Sequence, residues 1–502
     1  AAFSQPASSE IHPSHESARQ NAFLIFNSLR SAMRQWGSSL YHNGMSLIPA
    51  TIPRGTTLYH GARSNSTPTV PEWLAFDREH AEWFAHALPY NLLHPPRPKP
   101  TPSFQKPLSL PSTSKTGTNS NKTIRGYLHT FTTARPLHLL YLDGSSAANS
   151  YFGTLDTQDY LLRLLSPSDN RTHPILDFVR ARDLCGIITE WGYDGVIRME
   201  IGFEVIFCRE FTPEGGLRRE SLLRSPGLGR EGFDTKRMRE GIWRWARAVG
   251  ERYEGIGGGR VRLDFSRMVS ALWYPVDLGN PDGEREREGL RRLVRVQSEE
   301  LVGIRNRVEE LAGEGGEEGV DWQGVVDMVV ARYAERLRYM SWEGIEEGRF
   351  VEEVYAVTDS YVEYPPAEGD VTVSGKDRER CEREYLMSVE WRRGEFTEED
   401  SMIYVAISRV MERICEVLFD VRDKLEEAQP GLGLEMEERG HIMTDKKEMK
   451  DAVRLARSAV KGLTEELRWT TWKKCRGCAP DEICFVAMWP YGRIQDHYSP
   501  SC

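Results

Sequence analysis

The sequence predicts an α+β fold: a mixed domain of short strands and a few helices, followed by a mainly helical domain. Three observations carry this. Over the first 210 residues, short apolar runs ending at Gly or Pro alternate with brief helical patterns. Beyond residue 260, apolar residues recur at spacings of three and four, the stripe of an amphipathic helix. Between the two, residues 217–260 are rich in Arg and Gly and end in Gly257-Gly258-Gly259, the composition of a linker. At 502 residues the chain exceeds one ordinary core, in keeping with two domains.

The elements follow in order. Residues 1–18 read as a polar tail and 19–216 as the mixed domain. Phe23, Phe26, Leu29, Met33 and Trp36 mark a helix from Arg19 to Trp36. Thr56 to Gly61 reads as a short buried strand, and Pro71 to Phe76 as another. Asp77 is placed to cap a helix from Arg78 to Leu88. Residues 90–123 hold Pro, Ser, Thr and Lys but no acidic residue, and read as a surface insertion. Strands resume at Gly126–Phe131 and Arg135–Asp143, with helical patterns at Tyr160–Leu165 and Pro174–Cys185. A turn at Trp191–Gly195 leads into a strand, and Phe203–Phe207 is an apolar run with Glu204 inside it.

After the 217–260 linker, residues 261–470 form the predicted helical domain and 471–502 a Cys-rich tail. One stripe is Leu293, Leu301, Ile304, Val308 and Leu311; another is Ile403, Ile407, Val410, Met411, Ile414 and Leu418. No repeat period appears, so an irregular bundle is expected rather than a solenoid. Cys381 and Cys415 fall on predicted helices and are placed to staple them.

Charge and cysteine usage bound the function. The net charge is −10, from 65 basic and 75 acidic residues, which argues against a nucleic-acid partner. No apolar run reaches the length of a membrane span. Four of the eight cysteines crowd the end of the chain: Cys475, Cys478, Cys484 and Cys502. Two disulfides fit better than zinc, because the second pair lacks the Cys-x-x-Cys spacing of a zinc ribbon. Disulfides, together with sequons at Asn65, Asn121 and Asn170, lead to the expectation of a secreted glycoprotein. Trp489-Pro490-Tyr491-Gly492, inside the tail, reads as packed structure, or as aromatics that bind sugar.

Four local patterns then occur in a telling order. They are Leu58-Tyr59-His60-Gly61, Trp73 to Ala85, Arg135 to Leu140, and Gly192 to Ile197 followed by Phe203-Glu204-Val205-Ile206-Phe207. In that order they resemble the ADP-ribosyltransferase superfamily, in its His-Tyr-Glu branch shared with diphtheria toxin and the poly(ADP-ribose) polymerases. The resemblance covers roughly residues 20–212 and implies a split mixed sheet that binds and cleaves NAD. It implies that Glu204 stabilises the oxocarbenium-like ribosyl centre, and that His60 bonds a ribose hydroxyl. Gly61 would admit the nicotinamide amide, with Tyr59 and Trp73 beside the ring. NAD is then a substrate, and no metal is expected. Two departures stand out. Trp73 occupies the position of a hydroxyl residue, and Gly202 stands where arginine-modifying transferases carry a carboxylate or amide. The expected function is therefore a secreted ADP-ribosyltransferase or NAD glycohydrolase. The alternatives are a non-catalytic binder of a glycan or protein, and a carbohydrate hydrolase with a carboxylate pair. The sequence holds many acidic residues, Glu72 and Glu200 among them, and nothing in it pairs them.

Overall fold

The computed structural model describes residues 11–85, 126–225, 235–252, 259–286, 289–313, 319–363, 375–432, 447–488 and 492–502. The expected insertion at 90–123 and Trp489, Pro490 and Tyr491 lie outside these. Three short helices open the chain: α1 (His15–Gln20), α2 (Ala22–Ser31) and α3 (Gln35–Leu40). One continuous helix was expected here. It breaks at Asn21 and again before α3, where Met33 adopts a φ of 55°. The Ser14 hydroxyl accepts the Ser17 amide and starts α1, while the Ser14 amide donates to the Trp273 carbonyl. Ser17 and Ala18 are buried, so this end of the expected polar tail is docked on the core.

The strands and helices that build the site come next. They are β1 (Asn43–Ile52), β2 (Thr57–Ala62), β3 (Glu72–Ala75), α4 (Arg78–Ala85), β4 (Tyr127–Thr133) and β5 (Leu137–Gly144). A π-helical turn at Thr157–Leu162 precedes α5 (Asp177–Glu190), β6 (Gly195–Met199) and β7 (Phe203–Phe207). Then follow β8 (Leu217–Arg224), α6 (Thr235–Arg252), β9 (Arg262–Leu263) and β10 (Val269–Ser270).

One sheet takes all ten strands, in the order β10-β1-β5-β6-β7-β3-β2-β4-β8, with β9 also paired to β1. Among the described residues only the β5–β6 pair is parallel. The sheet therefore extends beyond the expected boundary at residue 216. Residues 217–224, expected as linker, form β8 along β4. Their Arg-rich composition is that of an edge strand with one open side, where charge discourages pairing with another chain. β9 and β10, expected in the helical domain, pair with β1. α6, also inside the expected linker, buries Trp245, Ala246 and Val249.

The remaining helices are α7 (Gly283–Glu286), α8 (Ser298–Glu310), α9 (Trp322–Met340), α10 (Glu347–Thr358), α11 (Gly375–Arg383), α12 (Met387–Glu390), α13 (Glu398–Ala428) and α14 (Lys447–Leu467). α13 starts at a capping box formed by Thr397 and Asp400 and buries the predicted stripe from Ile403 to Leu418. Apolar side chains from the sheet, such as Leu139 and Ile197, join Val329, Ile407 and Val460 of the helices in one contiguous core. The mixed and helical parts are thus packed as one body.

All eight cysteines are paired. Cys381 and Cys415 staple α11 to α13, as their positions predicted. The tail holds Cys475–Cys484 and Cys478–Cys502. Cys185–Cys208 joins α5 to the end of β7.

Candidate functional site

Strand register fixes which side chains share a face. Directly opposed residues point the same way, and neighbours along a strand alternate. Glu204 of β7 pairs with Ala75 of β3, which pairs with Tyr59 of β2. Trp73 pairs with Ile206, two positions along, so it lies on this same face. Arg198 of β6 pairs with Glu204 and joins them. Both α4 and α5 cover this face. α4 packs on Tyr59, Ala75 and Leu128 through Ala81, and α5 reaches Cys208 through its disulfide.

His60 belongs to the other face. It pairs with His129, and its ring lies 5.6 Å from the His129 ring and 6.3 Å from that of Phe211. Its Nδ1 is 2.8 Å from the Trp73 carbonyl oxygen. Burial lowers its pKa to about 4, so it is a neutral, packed imidazole. The structure therefore does not bring His60 and Glu204 together. Glu72 shares the face of His60, and burial raises its pKa to about 7.

Gly61 returns to the Glu204 face, where it serves packing. A Cβ there would stand 1.8 Å from the Ala81 carbonyl oxygen of α4. Helix backbone fills the space that the resemblance assigned to nicotinamide. Tyr59 is half-buried beneath α4, with the Arg78 guanidinium 5.1 Å from its ring centroid.

Around Glu204 the structure assembles residues that the sequence reading did not single out. Arg198 donates to Glu204 Oε1 from Nε at 3.1 Å and from a terminal nitrogen at 2.7 Å. The same guanidinium donates to Asp177 at 2.8 and 2.9 Å and to the Gln158 side-chain oxygen at 3.0 Å. Gln158 comes from the π-helical turn, a distortion that often re-aims side chains at functional sites. Asp177 also meets Arg180, which pairs with Asp159. His80 of α4 stands 3.8 Å from Glu204 Oε2, beyond hydrogen-bond reach. The His80 ring stacks on Trp245 at 4.3 Å, and burial lowers its pKa to about 3.

The electrostatics separate the acids. Burial pushes the Glu204 carboxyl up; Arg198 pulls it back down only in part. Asp177 is pushed up by burial too, but Arg198 and Arg180 hold it below its ordinary value. Glu200, in the turn between β6 and β7, goes well above its ordinary value, first through burial and then through the charges of Glu204 and Asp177. The β6–β7 turn thus carries a carboxyl raised well above its ordinary value, close to the strand face where Arg198 anchors Glu204. Aromatic surface adjoins them. Trp73 is half-buried, and its ring is 6.1 Å from that of Phe178, which is exposed and follows Asp177 in α5.

A local signal for part of this set existed. Arg198 and Glu204 are lone charges in two apolar strands joined by a short turn, the arrangement of a cross-strand ion pair. Asp177 and Gln158 carry no such signal, because they arrive from separate segments.

The sulfurs of Cys475, Cys478 and Cys502 lie within 4.8 Å of one another. Each of the three is held in a disulfide, so none offers a thiolate ligand in this state.

Comparison with known proteins places these features in context. The family described as the YPL277C N-terminal domain matches residues 15–91 and 97–216, the segments that hold β1 to β7. Over 541 aligned residues the chain is 25% identical to the Saccharomyces cerevisiae uncharacterized protein YOR389W, covering 93% of this chain and 82% of that protein. Over 211 residues it is 34% identical to the uncharacterized protein YPL277C of the same yeast, covering 38% of this chain and 40% of that protein. No solved structure matches.

Proposed function

We propose that the chain cleaves a glycosidic bond at the face that carries Glu204 and Glu200. The observation behind this reading is Glu204 anchored by Arg198 on the strand face, with Glu200 in the adjoining turn driven well above its ordinary value by burial and by the charges of Glu204 and Asp177. Two acids whose environments drive their titration apart are suited to divided acid and base roles. In this reading Glu200 gives its proton to the leaving oxygen as the C–O bond breaks. Glu204 stabilises the positive charge at the anomeric carbon. Water then adds to that carbon, and its proton returns to the Glu200 carboxylate. Trp73 and Phe178 supply a face on which a sugar ring stacks.

NAD is the second reading, favoured because Trp73 and Glu204 share one face. The two differ in what Glu200 must do. Nicotinamide leaves as a neutral base and needs no proton. An alkyl glycoside releases an alkoxide-like oxygen and does. The test is turnover of NAD, an aryl glycoside panel and an alkyl glycoside panel by wild type, Glu200→Gln and Glu204→Gln. A loss of about 100-fold or more for alkyl glycosides in Glu200→Gln, with aryl glycosides less affected, supports the proposal. NAD turnover that survives Glu200→Gln but not Glu204→Gln supports the second reading. Glycan or protein binding without turnover of any of these substrates would replace both with the binding-protein alternative. Four disulfides, and the exposed positions of Asn65 and Asn170, support action outside the cell.

A further inference from the structure

The C-terminal tail closes over a buried pair of imidazoles. His42, just before β1, and His497, in the tail, are both buried. Neither imidazole has a side-chain hydrogen-bond partner; the polar groups nearest them are the backbones of Ser39, beside His42, and Gly492, beside His497. The Tyr498 ring lies 5.3 Å from that of His42 and 6.3 Å from that of His497. The Phe152 ring is 5.9 Å from that of His497.

The tail's disulfides are internal to it, so no covalent bond beyond the chain itself holds it to the body. It docks through two apolar contacts. Val486 and Met488 pack with Trp36 and Leu40 of α3. Ile483 and Phe485 pack on Trp83 of α4, Trp245 of α6 and Ile201. Ile201 is the neighbour of Glu200, so the tail lies against the turn that carries the raised carboxyl.

We propose that the described tail, residues 475–488 and 492–502, is a strap over the β6–β7 turn, and that acidification releases it by charging His42 and His497. The charges facing the pair are mainly positive. The Arg285 guanidinium, itself paired with Asp282, lies 4.3 Å over the Tyr498 ring and 4.9 Å over the Phe152 ring. Lys473 faces His42 from the end of the helical part, and Asp496 adjoins His497. Arg292, paired with Asp156, faces Tyr498 from the body. A proton on either imidazole therefore meets a second imidazole, Arg285 and Lys473, with Asp496 as partial compensation.

The sign follows from linkage. In the docked fold both histidines lie below their ordinary value, His42 at about 3, with burial as the largest cause and the other imidazole next for His42; in this proposal, release returns both imidazoles to water. The released tail binds more protons, so docking is strongest above pH 6.5 and weakens as pH falls from there toward 3. With His42 returned to water on release, docking at pH 5 is weakened by about 30-fold, and His497 acts in the same direction. That release uncovers a working site rests on the glycosidic reading above.

The test uses the whole protein and dilute hydrogen peroxide, with oxidation of single methionines followed by mass spectrometry. Met488 is 4% exposed in the docked strap; Met328, at 44%, is the exposed control, and Met411, at 0%, the core control. Relative to Met328, the Met488 rate is expected to rise about 30-fold or more between pH 7.5 and pH 5, with Met411 protected throughout. The variant carrying His42→Gln and His497→Gln should lose most of that rise. Met488 protection at pH 5 in the wild type overturns the strap, as does an equal acid rise in the Gln variant. If that variant fails to fold, seen as Met411 oxidation, the wild-type profile decides. Turnover measured in the same buffers keeps the two readings apart. Absent turnover at every pH removes the roles of Glu200 and Glu204 and leaves the strap standing. Met488 protection removes the strap and leaves those roles intact.

Discussion

Replacing Arg198 by Met isolates the energetics beneath the site. The methionine roughly fills the volume but removes five hydrogen bonds: two to Glu204, two to Asp177 and one to Gln158. Two carboxylates on a covered face then lose their main counter-charge, and Asp177 keeps only Arg180. Leaving a buried charge without its partner costs about 3–5 kcal/mol. The cost has a pH signature. Without Arg198, burial raises Glu204 further above its ordinary value, so the folded variant binds more protons than the unfolded chain. Its stability then falls as pH rises above about 4.5, the ordinary value of a Glu carboxyl, and recovers on acidification. The assay is urea unfolding of wild type and Arg198→Met at pH 5 and pH 7.5, followed by circular dichroism. A deficit that is large at pH 7.5 and smaller at pH 5 is expected. Adding Glu204→Gln should return part of the loss, because the buried charge is then absent. A deficit below about 1 kcal/mol at pH 7.5, or one that grows at pH 5, would refute the reasoning, since it would place the pair in water.

Three further outcomes follow from separate features. Gly61→Ala drives a methyl group into the Ala81 carbonyl of α4, so a loss of about 3 kcal/mol or more in stability is expected. A folded, fully stable Gly61→Ala protein with weakened ligand binding would instead favour the ligand role that the family resemblance implied. Cys208→Ser opens the bridge that spans 23 residues between α5 and β7, and a loss of about 3 kcal/mol is expected in thermal or urea unfolding. Glu72, raised to about 7, destabilises the folded state progressively as pH rises from 4.5 through 7. Glu72→Gln should therefore gain about 1–3 kcal/mol over wild type at pH 8 and nothing at pH 4, read from paired urea curves.

Much of the local architecture was legible because it is written in period and punctuation. Short apolar runs bounded by Gly, Pro or turn residues located β2, β3, β6 and β7, and the 3.6-residue stripe located α13. Glu204 stood out as a carboxyl inside an apolar run, and the structure gives it a built partner. His60 was grouped with Tyr59 and Gly61 by adjacency in the chain. A strand sends neighbours to opposite faces, so that adjacency placed it away from Glu204. Arg218, Arg219 and Arg224 made β8 look like linker, although charge is what an edge strand needs. The set around Arg198 was out of reach for a different reason. Gln158, Asp177 and Glu204 converge from three segments, and only tertiary packing puts them within a few ångströms of one guanidinium.

The mixed sheet draws its outer members from both sides of the chain's apparent midpoint, β8 on one margin and β9 and β10 on the other. A protein cut after residue 216 would therefore expose β4 and the outer side of β1 as open hydrogen-bonding margins. Such a fragment is set up to pair with its own copies before it can fold. The catalytic hypothesis then has to be tested on the intact chain. The segment that matches the YPL277C N-terminal domain is a unit of resemblance, whereas the unit of folding is the whole sheet with the helices that share its core.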